Sequence, residues 1–359
     1  MAAVSKMYRF KIVLFFLLLI SCTSDNNDSA GSSAARIDYN LGISFPPVAD
    51  QTQRDFTQPL LEELNVEIIR IGEKWSFREP TEGNFNWSSL DERINWAQQN
   101  DLKVLLTIQS NGPDWACSNL QNTNSCVYED NQKFKNYIEL LLQRHPNKID
   151  KIQFGNEWQS DFWYIGNEQQ FVTASNIVYD AVQTYSPQTQ FVLGGFTAIS
   201  LRFMAGCNGL VDQFYDDEGN SYDQTDFSTF CNSLEFQTVF NRINYVLQNA
   251  NYDLVDAHLY DDAEKWEFYI DNLAAMVDKP IIITEFGGPN VNIEPTDDAY
   301  QSNRLEVYIN SIIEMDVEEA YFFKLVEGTN NPAHQESGLI NSPDLTKKLS
   351  YFTFKDFNN

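Results

Sequence analysis

The 359-residue sequence predicts a single (β/α)8 barrel over residues 38–359, on three observations. Eight short β-branched or apolar runs alternate with segments whose apolar residues recur at helical spacing, the pattern of a βα repeat on a parallel sheet. The length of that region fits eight such units. The first strand-to-helix turn, Phe45-Pro46-Pro47, lacks the glycine fingerprint with which the rival architecture, a doubly wound open sheet, would hold a nucleotide phosphate.

The runs lie at 41–45, 66–72, 102–109, 149–157, 190–196, 254–260, 280–286 and 320–325. The first ends at its Phe-Pro-Pro turn. The second reads Ile68-Ile69-Arg70-Ile71-Gly72, and the third leads into Gln109-Ser110-Asn111. The fourth, Ile152-Gln153-Phe154-Gly155-Asn156-Glu157-Trp158, places an amide and a carboxylate where an apolar strand meets its loop. The sixth ends in His258-Leu259-Tyr260, the seventh is Ile281-Ile282-Ile283-Thr284-Glu285-Phe286, and the eighth is Ala320-Tyr321-Phe322-Phe323-Lys324-Leu325. Between the third and fourth runs, Phe134, Tyr137, Ile138, Leu141 and Leu142 share one helical face before Pro146 ends the helix. Between the fourth and fifth, Phe171, Ala174, Ile177, Val178, Ala181 and Val182 do the same.

Ahead of the barrel, Lys6, Arg9 and Lys11 precede an apolar run over 12–20 and then small residues, the layout of an export signal too short to span a bilayer. Leu19-Ile20-Ser21-Cys22 resembles a bacterial lipobox, which implies residues 1–21 as a lipoprotein signal peptide, lipidation at Cys22 and exposure on the outer membrane. Residues 22–37 read as a flexible tether, rich in Ser, Asn, Asp and Ala. Contact with a membrane is expected only through that anchor, and a monomer is expected.

With 24 Lys plus Arg against 51 Asp plus Glu, the formal charge is −27, which weighs against nucleic acid or an anionic surface as partner. Four further cysteines in an exported chain point to disulfides, and the simplest local pairing is Cys117 with Cys126 and Cys207 with Cys231. Zinc is the rival, but neither pair has the short spacing of a zinc knuckle.

In a barrel the chemistry collects at the C-terminal ends of the strands. Glu157 and Glu285 both fall there. An unpaired carboxylate is costly to bury, so Glu285 requires donors, and Arg70, His258 and Tyr260 are at the ends of neighbouring runs. A carboxylate held by a guanidinium and a phenol stays ionised and oriented, as a nucleophile must be.

These features resemble the glycoside hydrolases of clan A, nearest in pattern to families 5 and 39. The shared marks are Arg70, Trp75 with Glu79-Pro80-Thr81-Glu82-Gly83-Asn84-Phe85-Asn86-Trp87, the Asn156-Glu157 pair, His258-x-Tyr260 and Glu285. The resemblance implies Glu157 as acid/base, Glu285 as nucleophile, Asn156 on the sugar 2-hydroxyl, Arg70 and Tyr260 steadying Glu285, and His258 in support. It implies retaining hydrolysis of a polysaccharide or oligosaccharide with neither metal nor cofactor, endo action being favoured by aromatic side chains in the loops. Trp75, Trp115, Trp158, Trp163 and Trp266 are candidate sugar platforms, with core packing as the rival for each, whereas Trp87 and Trp96 read as core. Two departures bear on substrate. Gln109 stands where family 5 often brings a His, and Lys324 follows the eighth run, where many clan members place a Trp. With Lys74 and Arg78, Lys324 offers a local cation for a sulfated or uronic acid glycan. A non-catalytic glycan-binding lipoprotein and a transglycosidase with the same residues are the alternative functions.

Overall fold

The computed structural model describes residues 41–118 and 125–358; residues 1–21, the tether at 22–37 and Cys22 lie outside the described residues. Eight parallel strands close into a barrel: β1 Leu41–Ser44, β2 Ile68–Glu73, β3 Lys103–Ile108, β4 Lys151–Phe154, β5 Gln190–Phe196, β6 Leu254–Tyr260, β7 Ile281–Gly287 and β8 Ala320–Phe322. Each lies inside or within one residue of an expected run. β1 closes the barrel against β8 through Leu41, Gly42 and Ile43, paired with Ala320, Tyr321 and Phe322.

The period-two alternation of a strand explains what each face carries. Ile69 and Ile71, Val104 and Leu106, and Ile281 and Ile283 point out to the helices and join one large core. Ile68, Leu105, Val192, Leu254, Ile282 and Tyr321 form a second, smaller cluster that packs the barrel interior. Two residues further along those strands the inward positions turn polar, at Arg70, Thr107, Asp256 and Thr284, joined by Gln153 of β4. All five are fully buried.

The helices follow their sequence signals. In Asn131–Arg144 the side chains Phe134, Tyr137, Ile138, Leu141 and Leu142 are all buried, and Asp130 caps the first turn by accepting from Gln132 N. Glu168–Tyr185 opens with a capping box between Asn167 and Gln170. Both expected disulfides are present, with Cα separations of 5.2 Å for Cys117–Cys126 and 5.6 Å for Cys207–Cys231.

Two strands end earlier than their apolar runs. β4 stops at Phe154 because Gly155 takes φ +80° and Glu157 φ +44°, which swings Asn156 and Glu157 across the barrel mouth. A Cβ at Gly155 would sit 2.9 Å from the Phe171 ring, so only glycine fits this turn. β8 stops at Phe322, ahead of a cis peptide between Phe323 and Lys324.

Candidate active site

A cavity of about 910 Å³ opens at the C-terminal ends of the strands, and Asn156, Glu157, Tyr260 and Glu285 line it. Glu285 is placed by a bulge. Ala257 of β6 pairs with Ile283 of β7, and the next residue, His258, pairs with Glu285, which leaves Thr284 out of the ladder. Asp256 takes up the stranded groups: its Oδ1 accepts from Thr284 N at 2.8 Å and its Oδ2 from Thr284 Oγ1 at 2.6 Å. The bulge thus turns two consecutive side chains of β7 inward, with Asp256 holding one and Arg70 the other.

Arg70 is the hub. Its Nη1 donates to Glu285 Oε1 at 2.5 Å and to Ser44 Oγ at 3.3 Å, its Nη2 to Asn156 Oδ1 at 2.9 Å, and its Nε to Thr107 Oγ1 at 2.9 Å. The Phe45 ring covers the guanidinium at 4.5 Å. Tyr260 OH donates to the other Glu285 oxygen at 2.5 Å. Burial by itself raises the Glu285 pKa, but the charges of His258 and Arg70 and the bonds from Tyr260 and Arg70 outweigh it, so the carboxyl lies below its ordinary value and is ionised.

Glu157 is held from two sides. Trp163 Nε1 donates to its Oε2 at 2.7 Å, and His258 Nδ1 lies 2.9 Å from its Oε1. Ser110 Oγ fixes the loop by donating to the Trp163 carbonyl at 2.8 Å. The left-handed backbone at Glu157 is a strained conformation for a side-chain-bearing residue, kept here by these contacts.

His258 joins the two carboxylates. Nδ1 is 2.9 Å from Glu157 Oε1 and 3.7 Å from Glu285 Oε2, so these oxygens are at most 2.9 plus 3.7, or 6.6 Å, apart. Nε2 lies 3.3 Å from Asp256 Oδ2. Burial pulls the imidazole pKa down, but the charges of Glu285 and Asp256, with hydrogen bonds to Asp256 and Glu157, raise it from 6.5 to about 10. Such a group stabilises the fold fully below pH 6.5, and the contribution is lost as pH rises towards 10. The unfolding free energy, followed by urea titration across that range, is expected to fall with pH, and His258→Gln is expected to remove much of that slope. An equal slope in the variant would contradict the imidazolium.

Sequence reasoning missed several supports. A Cβ at Gly195 would stand 2.4 Å from His258 Nε2 and 2.5 Å from Asp256 Oδ2, so β5 passes the network only as bare backbone. The signal for it was the Gly194-Gly195 pair inside an otherwise apolar run. Asp256 and Gln153 were visible as polar residues inside strands; Gln153 Nε2 donates to Asp256 Oδ2 at 2.5 Å. His334 stacks on Tyr260 with ring centroids 4.2 Å apart and lines the cavity, and burial lowers its pKa. No local motif marks it.

The family model described as glycosyl hydrolase catalytic core matches residues 167–352, more than half of the chain. The chain belongs to that family. A second model, described as beta-galactosidase, matches residues 47–133 of the hydrolase. The hydrolase is 30% identical over 132 residues to endo-1,4-beta-xylanase C of Paenibacillus barcinonensis, a match that takes in 34% of this chain and only 12% of that much longer relative. Among solved structures it resembles the GH5_18 protein of Streptomyces cattleya in complex with GlcNAc, at TM-score 0.65 and 12% identity over 89% of this chain and 79% of the other. It also resembles a family 39 glycoside hydrolase from Bacteroides cellulosilyticus WH2, at TM-score 0.59 and 12% identity over 89% and 63%. At these identities the structural likeness establishes the barrel. The family match places the chain among the glycosyl hydrolase catalytic cores, in line with the resemblance read from its motifs.

The hydrolase brings Arg70, Gln109, Asn156, Glu157, His258, Tyr260 and Glu285 to one barrel mouth, but three expected substrate contacts are elsewhere. Trp75 is fully buried, stacked on Tyr137 at 5.6 Å with Nε1 donating to Glu79 Oε2 at 2.7 Å. Trp158 is fully buried on Phe171, and its Nε1 donates to the Gly194 carbonyl at 2.9 Å. Neither has a free face for a sugar. Trp266 is likewise buried, and of the five candidates Trp163 alone lines the cavity. Lys324 lies outside the cavity lining, with Nζ over the Phe323 ring at 5.8 Å. Arg78 is committed to buried Glu73 at 2.7 Å, and among the described residues no Lys or Arg lines the cavity.

Proposed function

We propose that this hydrolase is a retaining glycosidase acting on a neutral sugar, with Glu285 as nucleophile and Glu157 as acid/base. The observation that carries the reading is the one imidazole nitrogen, His258 Nδ1, that lies 2.9 Å from Glu157 and 3.7 Å from Glu285 and so bounds their oxygens at 6.6 Å. That bound lies at the bottom of the roughly 6.5 to 9.5 Å needed to admit a water between two acids, and it accommodates the roughly 5 to 5.5 Å of direct attack.

In the first step Glu157 protonates the glycosidic oxygen, the bond from that oxygen to the anomeric carbon breaks, and Glu285 forms an ester with the carbon. In the second, water attacks the same carbon, Glu157 accepts its proton, and the ester bond breaks to regenerate Glu285. Because Oδ1 of Asn156 accepts from Arg70, its amide Nδ2 is the group left to donate to the sugar 2-hydroxyl. Among the described residues the lining carries Glu157, Asp217, Glu235 and Glu285 and no Lys or Arg, which favours a neutral sugar over a sulfated or uronic one. Burial of Trp75, Trp158 and Trp266 withdraws the main support for an extended groove, so a short glycoside is favoured over a polymer cut from within.

Proton NMR of the first-formed anomer tests this reading: retention of configuration is expected, and inversion would overturn it. We propose further that Cys22 is the lipidated first residue of a tethered mature protein; intact mass of the membrane fraction is expected to show a diacyl or triacyl increment on Cys22, and an unmodified N-terminus would contradict it.

A further inference from the structure

One side of the cavity is apolar in a way that cleavage of a neutral sugar does not require. Between β5 and β6 the chain inserts the helix Ala198–Cys207, a hairpin of Gln213–Tyr215 with Ser221–Asp223, the helix Gln224–Phe230 and the helix Leu234–Asn249. The Cys207–Cys231 disulfide ties the end of the first helix to the residue after the third element. From this insert Ile199, Phe203, Phe230, Phe236, Val239 and Phe240 face the cavity. The rings form a row of contacts, Phe203 stacked on Phe230 at 4.1 Å, Phe230 tilted against Phe236 at 5.7 Å, and Phe236 stacked on Phe240 at 5.8 Å. All but Phe236 remain only half-buried, so the fold leaves their inner faces uncovered.

The position of this wall says which part of a substrate meets it. Phe162, 60% exposed, lines the same cavity and packs edge-on to Trp163, the residue that donates to Glu157. The apolar surface therefore adjoins the proton donor, where the leaving group departs, whereas Asn156 lies on the glycone side. On this side Thr197 Oγ1 donates to Ser200 Oγ at 2.6 Å. A sugar face laid on these rings would lose water from its hydroxyls and gain no hydrogen-bond partner from them; the polar groups Gln159, Ser160, Asp217 and Glu235 line other parts of the same cavity.

We propose that the insert is an aglycone site and that the substrate is a glycoside of an apolar alcohol, with an alkyl or aryl leaving group lying along Phe203, Phe230, Phe240 and Val239. An apolar chain on this wall gains about 0.8 kcal/mol per methylene removed from water, a factor of roughly four in affinity. The proposal rests on Glu157 being the proton donor.

The test uses the full chain and methyl, butyl and octyl β-glycosides of glucose, galactose, mannose and xylose, whose leaving groups differ little in basicity. For the sugar that is turned over, kcat/KM is expected to rise about two- to four-fold per methylene, and Phe240→Asn is expected to flatten that rise. A flat series, with an oligosaccharide of the same sugar turned over faster than the octyl glycoside, would overturn the aglycone site while leaving the glycosidase reading intact. Calorimetry on Glu285→Gln separates binding from turnover: octyl glycoside binding at least roughly a hundred-fold tighter than methyl, as two-fold per methylene requires, supports the wall even if no glycoside is cleaved, and a smaller ratio overturns it.

Discussion

Glu285→Gln is expected to lower kcat/KM by at least roughly 10⁴-fold on every glycoside, while the protein remains folded. The amide can still accept from Arg70 through its oxygen, and its NH2 can donate to Tyr260, so the hydrogen-bond frame survives the loss of the attacking oxygen. Glu157→Gln is expected to behave differently. It removes proton transfer, worth roughly 10² to 10⁴, on alkyl leaving groups. A dinitrophenyl leaving group needs no proton, so the first step on that substrate should be nearly spared. Steady-state and pre-steady-state rates on the two substrate classes check this contrast. Equal losses for both variants on both classes would mean that the roles are not divided between the two carboxylates.

Arg70→Met is expected to destabilise the fold by about 3 to 5 kcal/mol in urea unfolding, because it leaves a buried anion without its nearest cation. Arg70 is fully buried, and its guanidinium serves Glu285, Asn156, Ser44 and Thr107 together. The double variant Arg70→Met/Glu285→Gln removes both charges, so its loss should fall well short of the sum of the single variants, a coupling that a double-mutant cycle measures directly. Additive losses would mean that the pair contributes packing alone, without the electrostatic link that holds Glu285 ionised.

Much of the barrel was legible because strand periodicity and helical spacing differ: Ile281 and Ile283 face the helices and Ile282 the interior, as the alternation requires. The carboxylate pair and its donors were legible as polar residues that interrupt apolar runs at their ends. What the sequence concealed depends on contacts between distant segments. Trp75 follows a strand, as a sugar platform would, yet Trp115, Tyr137 and Phe134 close around it. Trp158 lies next to Glu157, but the left-handed turn that presents Glu157 to the cavity sends the indole the other way, under Phe171. The bulge at Thr284 carries no sequence mark, because the residue that satisfies it, Asp256, is on another strand. The apolar wall was hidden for the same reason: its phenylalanines belong to separate helices, and no local window distinguishes those facing a cavity from those in a core.

Glu285 is expected to form a covalent bond to the anomeric carbon of the sugar. Incubation of the protein with 2,4-dinitrophenyl 2-deoxy-2-fluoro-β-glycosides of glucose, galactose, mannose and xylose should slow ester hydrolysis enough for the adduct to accumulate. Peptide mass mapping then locates it. A fluoroglycosyl increment on the peptide containing Glu285, absent from Glu285→Gln, is the predicted result; an adduct on Glu157, or inactivation-free turnover with inversion at the anomeric carbon, would contradict the account.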